Sequence, residues 1–429
     1  MSVTSRCQIS NACINRKAAP SRRGKGSQQN ICQHTAMRFL IICLSLLGVA
    51  GCQSDSEKAK AEFEKGVVFD DREDLETSIV CYTEAIRLKP DYAEAFQNRG
   101  NAYSRQGEYS KAIADYTEAI RLRPDIVGIY GLRGMVYGQQ GEYAKAIDDF
   151  TRAIQLGPDI YTDYFFRGTA YLGQGEDAKA IADYSKSIQL EPDYADAYYK
   201  RGLAQGESAK AIADYTEAIR LRPEHFDAYV ERGRTYEEQK EYAKAIADYT
   251  EVIRLQPDSA IGYYSRGLAY SEHGDFDKAV ADYTETIRLN PDLASTYGNR
   301  GKAYEEQKEY AKAIADYTVA IRLEPDDDFA YYSRGKAHAK NDDFAMAIAD
   351  FTEAIRLEPD EADAYALRGQ AYVHQGDIAK AITDWTVAIR LVPNDAEIHY
   401  ARALAHREMG DKAKADTDLA RAKALGFEP

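Results

Sequence analysis

Two residue series in this chain have the types and spacing for charge chemistry. Arginine stands before a glycine or alanine at Arg99, Arg133, Arg167, Arg201, Arg232, Arg266, Arg300, Arg334, Arg368 and Arg402. Aspartate recurs as regularly at Asp115, Asp149, Asp183, Asp214, Asp248, Asp282, Asp316, Asp350, Asp384 and Asp418. A planar guanidinium and a carboxylate pair through two parallel hydrogen bonds, so the two series read as a structural ladder of partly buried ion pairs. Arg99, Arg133 and Arg300 with Asp115, Asp282 and Asp316 represent it, each Arg satisfied by an Asp of its own or of the neighbouring repeat. Pairs of this kind fix register more than they stabilise, because desolvation offsets attraction.

Catalytic chemistry finds no comparable pattern. The seven histidines show no metal-ligand pairing at i, i+4, and His338 and His406 stand in places that hold Tyr in other repeats. All six cysteines, Cys7 to Cys81, lie in the first fifth, so disulfides or thiolate zinc do not hold the body together. Neither a nucleophile elbow nor a phosphate loop is present, and no cofactor or metal is expected. The net charge is −15; residues 1–51 hold seven Lys/Arg and no acid, leaving 48 basic against 70 acidic residues beyond them, a charge of −22. Such an acidic body repels phosphate backbones, and nucleic acid is excluded as a partner.

The elements that position the two series are set out by proline. Pro90, Pro124, Pro158, Pro192, Pro223, Pro257, Pro291, Pro325, Pro359 and Pro393 are separated by 34 residues, except for 31 between Pro192 and Pro223. A fixed period of this size means stacked supersecondary units. In residues 93–126, Asp91 and Glu94 suit a capping box, and Phe96, Gly100 and Tyr103 recur at helical spacing. Gln106-Gly107-Glu108 breaks the pattern, after which Ala112, Tyr116, Ala119 and Ile120 line a second helix that Pro124 ends.

This order of aromatic, Gly, Tyr, Ala, aromatic, Ala and Pro resembles the tetratricopeptide repeat over residues 59–429, about eleven units. The resemblance implies an all-α, right-handed superhelical solenoid of about 22 helices. Unit 59–92 is degenerate, with Glu62 at the aromatic place; unit 195–225 lacks three residues, predicting a shorter first helix; unit 396–429 reads as a polar cap. Most of the 33 tyrosines fall in repeating core places. On the side of the first helix that lines the concave groove in this family lie Phe165, Tyr199, Tyr264, Tyr332 and Tyr400, with Arg234, Lys302 and Lys336, and these are the candidates for partner contact.

The N-terminus reads as an address. Residues 1–36 are polar and basic, and translation from Met37 would leave them out. Phe39 to Ala50 is mostly apolar and too short to cross a bilayer, which suits a signal-peptide core. Val49-Ala50-Gly51-Cys52 resembles the lipobox of bacterial lipoproteins, with residues 37–51 as signal, Cys52 as the lipidated residue and 52–58 as tether. Gln53 beside it implies the outer membrane, facing the periplasm.

These readings converge on a non-catalytic, protein-binding scaffold, lipid-anchored in the bacterial envelope and touching the membrane only through its anchor. The alternatives are an accessory docking module for an envelope enzyme, such as a peptidoglycan hydrolase or glycosyltransferase, and a soluble or organellar adaptor.

Overall fold

The computed structural model describes residues 54–427, so Cys52 and the signal-peptide reading of the N-terminus lie outside the described residues. Among the described residues there are 22 helices and no strand. They alternate between first helices such as Val127–Gln139, 13 residues long, and second helices such as Tyr143–Leu156, 14 residues long.

The sequence of each pair explains its limits. Tyr143–Leu156 places Ala146, Phe150 and Ala153 on one buried face at helical spacing, and Gly157-Pro158 follows where proline can donate no hydrogen bond and clashes with the preceding turn. The bend between the two helices of a pair needs a residue with positive φ. Gly141, Gly175, Gly274 and Gly376 supply it, whereas Lys240, Lys308 and Asp342 adopt the left-handed conformation in its place, at φ of 58°, 62° and 61°.

The described chain divides into two compact parts, one ending at Arg99 and the other beginning at Gly100. In the first, the helix Asp55–Asp70 opens with a capping box between Ser54 and Glu57. Residues 55–58, expected in the tether, thus form its first turn, because Ser54 satisfies the free backbone N–H of Glu57. The aromatic expected at Glu62 is absent, and the Phe63 ring beside it packs on Tyr82 and Tyr92 at 5.7 and 5.0 Å, as Phe165 packs on Tyr184 and Tyr194. Cys81 is buried, and desolvation pushes its thiol pKa up. The next helix begins at Ala93, which leaves Asp91 one residue outside the capping position expected for it.

In the second part, helix pairs stack in chain order. Each core is built from small residues and one aromatic per second helix: Ala313 and Ala337 surround Tyr317, which is 2% exposed. Gly301 lies against that ring, where an added Cβ would stand 2.9 Å from Tyr317 Cε1. The glycine permits close approach and needs no unusual φ. The shortened unit has a first helix of 11 residues, Ala195–Gln205, ended by Gly206 at φ 67°. Ser208 then caps Ala209–Leu221 by accepting from the Ala211 N–H. In the last unit His399 is buried between the Pro393 carbonyl at 3.2 Å and Asp418 at 3.4 Å.

Candidate interaction face

The arginine series turns inward. Arg300 Nε and Nη2 donate to the two oxygens of Asp316 at 2.7 and 2.8 Å, and the remaining Nη1 donates to Thr284 Oγ1 at 2.9 Å. Asp316 belongs to the same unit; Thr284 is on the second helix of the preceding one. The Thr284 hydroxyl spends its own proton on the Val280 carbonyl at 2.7 Å, leaving a lone pair for the arginine. Tyr297 and Tyr304 flank the guanidinium at 5.9 and 6.0 Å from their ring centroids.

The same pairing holds from Arg133–Asp149 to Arg402–Asp418. Asp282 accordingly pairs with Arg266 of its own unit, and own-unit pairing resolves the alternative left open by spacing. Arg201 keeps its partner, Asp214, although only 13 residues separate them, so the three-residue deletion spares the ladder. In the first part Arg99 donates to Thr83 at 3.0 Å; Asp115 is buried in the second. The hydroxyls, which no reading of the charges brought out, are legible as a Thr two places after the ladder Asp from Asp115 to Asp384, with Ser185 after Asp183.

With Arg and Asp committed internally, the first helices differ from unit to unit at places two, five and nine, which share one helical face. Phe165, expected there as a contact residue, is 8% exposed, packed edge-on against Phe166 and Tyr194, and belongs to the core. Its neighbours are large enough to cover it. Tyr199, Tyr264 and Tyr332 are half-buried, leaning on the second-helix aromatics Tyr215, Tyr283 and Phe351. Tyr400 packs on Phe427 at 4.5 Å. Burial pushes the Tyr332 hydroxyl up to about 12.

Lys336 lies over the Tyr332 ring at 5.7 Å and pairs with Glu305 of the preceding unit at 3.5 Å. Arg234 is exposed and held by Glu231 at 2.6 Å, and Lys302 is exposed. Three large apolar side chains on first helices stay open to solvent: Ile261, Phe329 and Leu404, at 42%, 64% and 46%.

Sequence reasoning missed Asp163. It is 7% exposed on the helix Tyr161–Gly173 and lines a cavity of about 200 Å³ shared with Val127–Gln139. Its Oδ2 is buried without a hydrogen-bond partner, and burial alone pushes the carboxyl up to about 6. Among the described residues no His/Cys/Asp/Glu cluster is placed to hold a metal, and no described helix is long and apolar enough to cross a membrane.

Sequence models described as tetratricopeptide repeat match residues 93–126, 128–160, 202–260, 264–328 and 328–361, and one described as TPR repeat matches 66–107, 168–208 and 369–410. The chain belongs to the tetratricopeptide repeat family. No curated protein matches it. Similar solved structures include the C-terminal part of a TPR repeat-containing protein from Cytophaga hutchinsonii, 21% identical over 55% of this chain and 97% of that one, with a TM-score of 0.49. MamA is 27% identical over 37% of this chain and 93% of its own, with a TM-score of 0.37. YrrB, described as a TPR protein with an unusual peptide-binding site, is 20% identical over 46% and 99%, with a TM-score of 0.41. As a tetratricopeptide repeat scaffold, the fold is suited to protein–protein interaction.

Proposed function

We propose that this tetratricopeptide repeat protein is a non-catalytic scaffold that holds an extended segment or helix of another protein against its first-helix face. The observation that carries this reading is a division of labour among side chains. The Arg, Asp, Thr and Gly of the frame recur unit after unit and satisfy one another, whereas the first-helix face changes from unit to unit and leaves Ile261, Phe329 and Leu404 exposed. Half-buried Tyr264 and Tyr332 present rigid rings beside them, with Lys302, Lys336 and Arg234 for polar contact. Lipid attached at Cys52 tethers the scaffold to the bacterial envelope, in the outer membrane facing the periplasm; the lipobox-like residues 49–52 support this part.

Selection of a random dodecapeptide library on the full chain tests the binding face. A recurring motif is expected, with affinity lost in Tyr264→Ala and Tyr332→Ala and retained in Met346→Ala, on a second helix. Peptides indifferent to both tyrosines would overturn the reading. The mass of the N-terminal peptide from native membranes tests the tether: a diacylglyceryl Cys52 supports it, and a free thiol in a chain starting at Met1 or Met37 removes it.

A further inference from the structure

The helix Val127–Gln139 holds four glycines, Gly128, Gly131, Gly134 and Gly138. Gly134 accommodates the Phe150 ring, as its equivalents accommodate theirs. The other three serve no ring. A Cβ at Gly128 or Gly138 would meet nothing within 4 Å, and one at Gly131 would stand 3.1 Å from Asp163 Oδ1. The missing side chains of Gly128 and Gly131 open the cavity of about 200 Å³, whose walls include Leu132, Met135, Phe150 and Phe166.

Asp163 is out of series. The same place in the other first helices of the repeats holds Ala95, Ile129, Ala197, Ala228, Gly262, Thr296, Ala330, Ala364 and Ile398, all uncharged, so packing alone does not call for a carboxylate. No donor pairs with the Asp163 side chain among the described residues, and its Oδ2 is buried and unsatisfied. Burying an unpaired carboxylate is costly, and the positive end of its own helix recovers only part of that cost.

We propose that this cavity is a socket for a primary ammonium, the side chain of a lysine in the bound segment, with Nζ paired to Asp163. The inference rests on the first-helix face being a protein-binding face. The apolar walls suit the four methylenes of lysine while the carboxylate meets its charge. Oδ1 borders the space that Gly131 leaves open, 3.1 Å from where a Cβ would stand, while Oδ2 is closed off, so a single oxygen faces the cavity. A compact ammonium is served by one oxygen, whereas a guanidinium fork wants two. The acidity of the chain beyond residue 51 draws cations toward the site.

The test uses the full chain labelled with [methyl-13C]methionine, in which Met135 reports on the cavity and Met346 and Met409 serve as internal controls. n-Butylammonium chloride should shift the Met135 resonance saturably, whereas n-butanol and guanidinium chloride should not. Asp163→Asn should weaken that response by at least about tenfold, an amount set by loss of a charge-assisted pair. Gly128→Val, which has room for its side chain and keeps the carboxylate, should block it. A Met135 signal that stays still, or that responds equally in Asp163→Asn, would overturn the socket. Peptide binders without lysine preference, together with a silent Met135, would remove the socket and leave the binding face. A Met135 response without any peptide binder would keep the ammonium site and remove the peptide reading.

Discussion

Arg300 and Asp316 lie 16 residues apart on the two helices of one unit and meet through paired hydrogen bonds of 2.7 and 2.8 Å. Their side chains are 17% and 8% exposed, so the pair is nearly withdrawn from water. The third donor of Arg300 crosses to Thr284, so one guanidinium closes its own helix pair and ties it to the preceding one. Register within a unit and stacking between units are therefore held by the same side chain.

A double-mutant cycle on Arg300 and Asp316 should return a coupling of about 1–3 kcal/mol, since removing one partner strands the other. The cycle on Arg300 and Asp282 should return about zero within error, because Asp282 is held by Arg266. Arg300 with Thr284 should give about 0.5–1.5 kcal/mol. Urea unfolding, with amide exchange in the flanking helices as a local readout, checks all three. Equal coupling to Asp282 and Asp316 would contradict own-unit pairing.

Two glycines of one helix should respond with opposite signs. Gly301→Ala drives a methyl group to 2.9 Å from Tyr317 Cε1 and should cost about 1–3 kcal/mol. At Gly298 a Cβ meets nothing within 4 Å, and Gly298→Ala should stabilise the helix by about 0.5–1 kcal/mol. Thermal unfolding of the two variants decides the matter.

Lys308 holds φ at 62°, in a bend where other units use glycine. A left-handed backbone costs a non-glycine residue about 1–2 kcal/mol, part of which glycine returns as unfolded-state entropy. Lys308→Gly should therefore raise stability by about 0.5–1 kcal/mol in urea melts. A loss would show that the lysine side chain contributes more than its backbone costs.

Asp163 makes a pH-dependent contribution whose sign follows from its raised pKa. The carboxyl moves from 3.8 to about 6 on folding, so the fold favours its protonated form. The associated stability is present below about pH 4 and lost as pH rises through about 6. Asp163→Asn should match the parent at the acid end and exceed it by about 1–3 kcal/mol at pH 7.5. A constant difference between the two proteins from pH 4 to 7.5 would show that Asp163 does not titrate in this range.

Much of this protein is legible in its sequence because repetition multiplies each local signal. One Pro, one Gly or one Arg says little, but a series such as Pro257, Pro291, Pro325 and Pro359 sets the period, and Arg300 with Asp316 recurs often enough to be read as a pair. Where the signal was not repeated, spacing misled: helix begins before the expected tether ends.

The chain by itself determined the helix pairs, their number, the shortened fifth unit and the residue types that fill each core, since these follow from local periodicity, backbone breakers and side-chain volume. Only the tertiary structure decided which Asp each Arg takes, because helical spacing presents the Asp of either unit to the same arginine and the packing of helix on helix selects one. Packing also sent Phe165 into the core and left Asp163 beside a cavity between two units. Burial depends on what neighbouring helices bring to the same place, and no single segment of sequence contains that information.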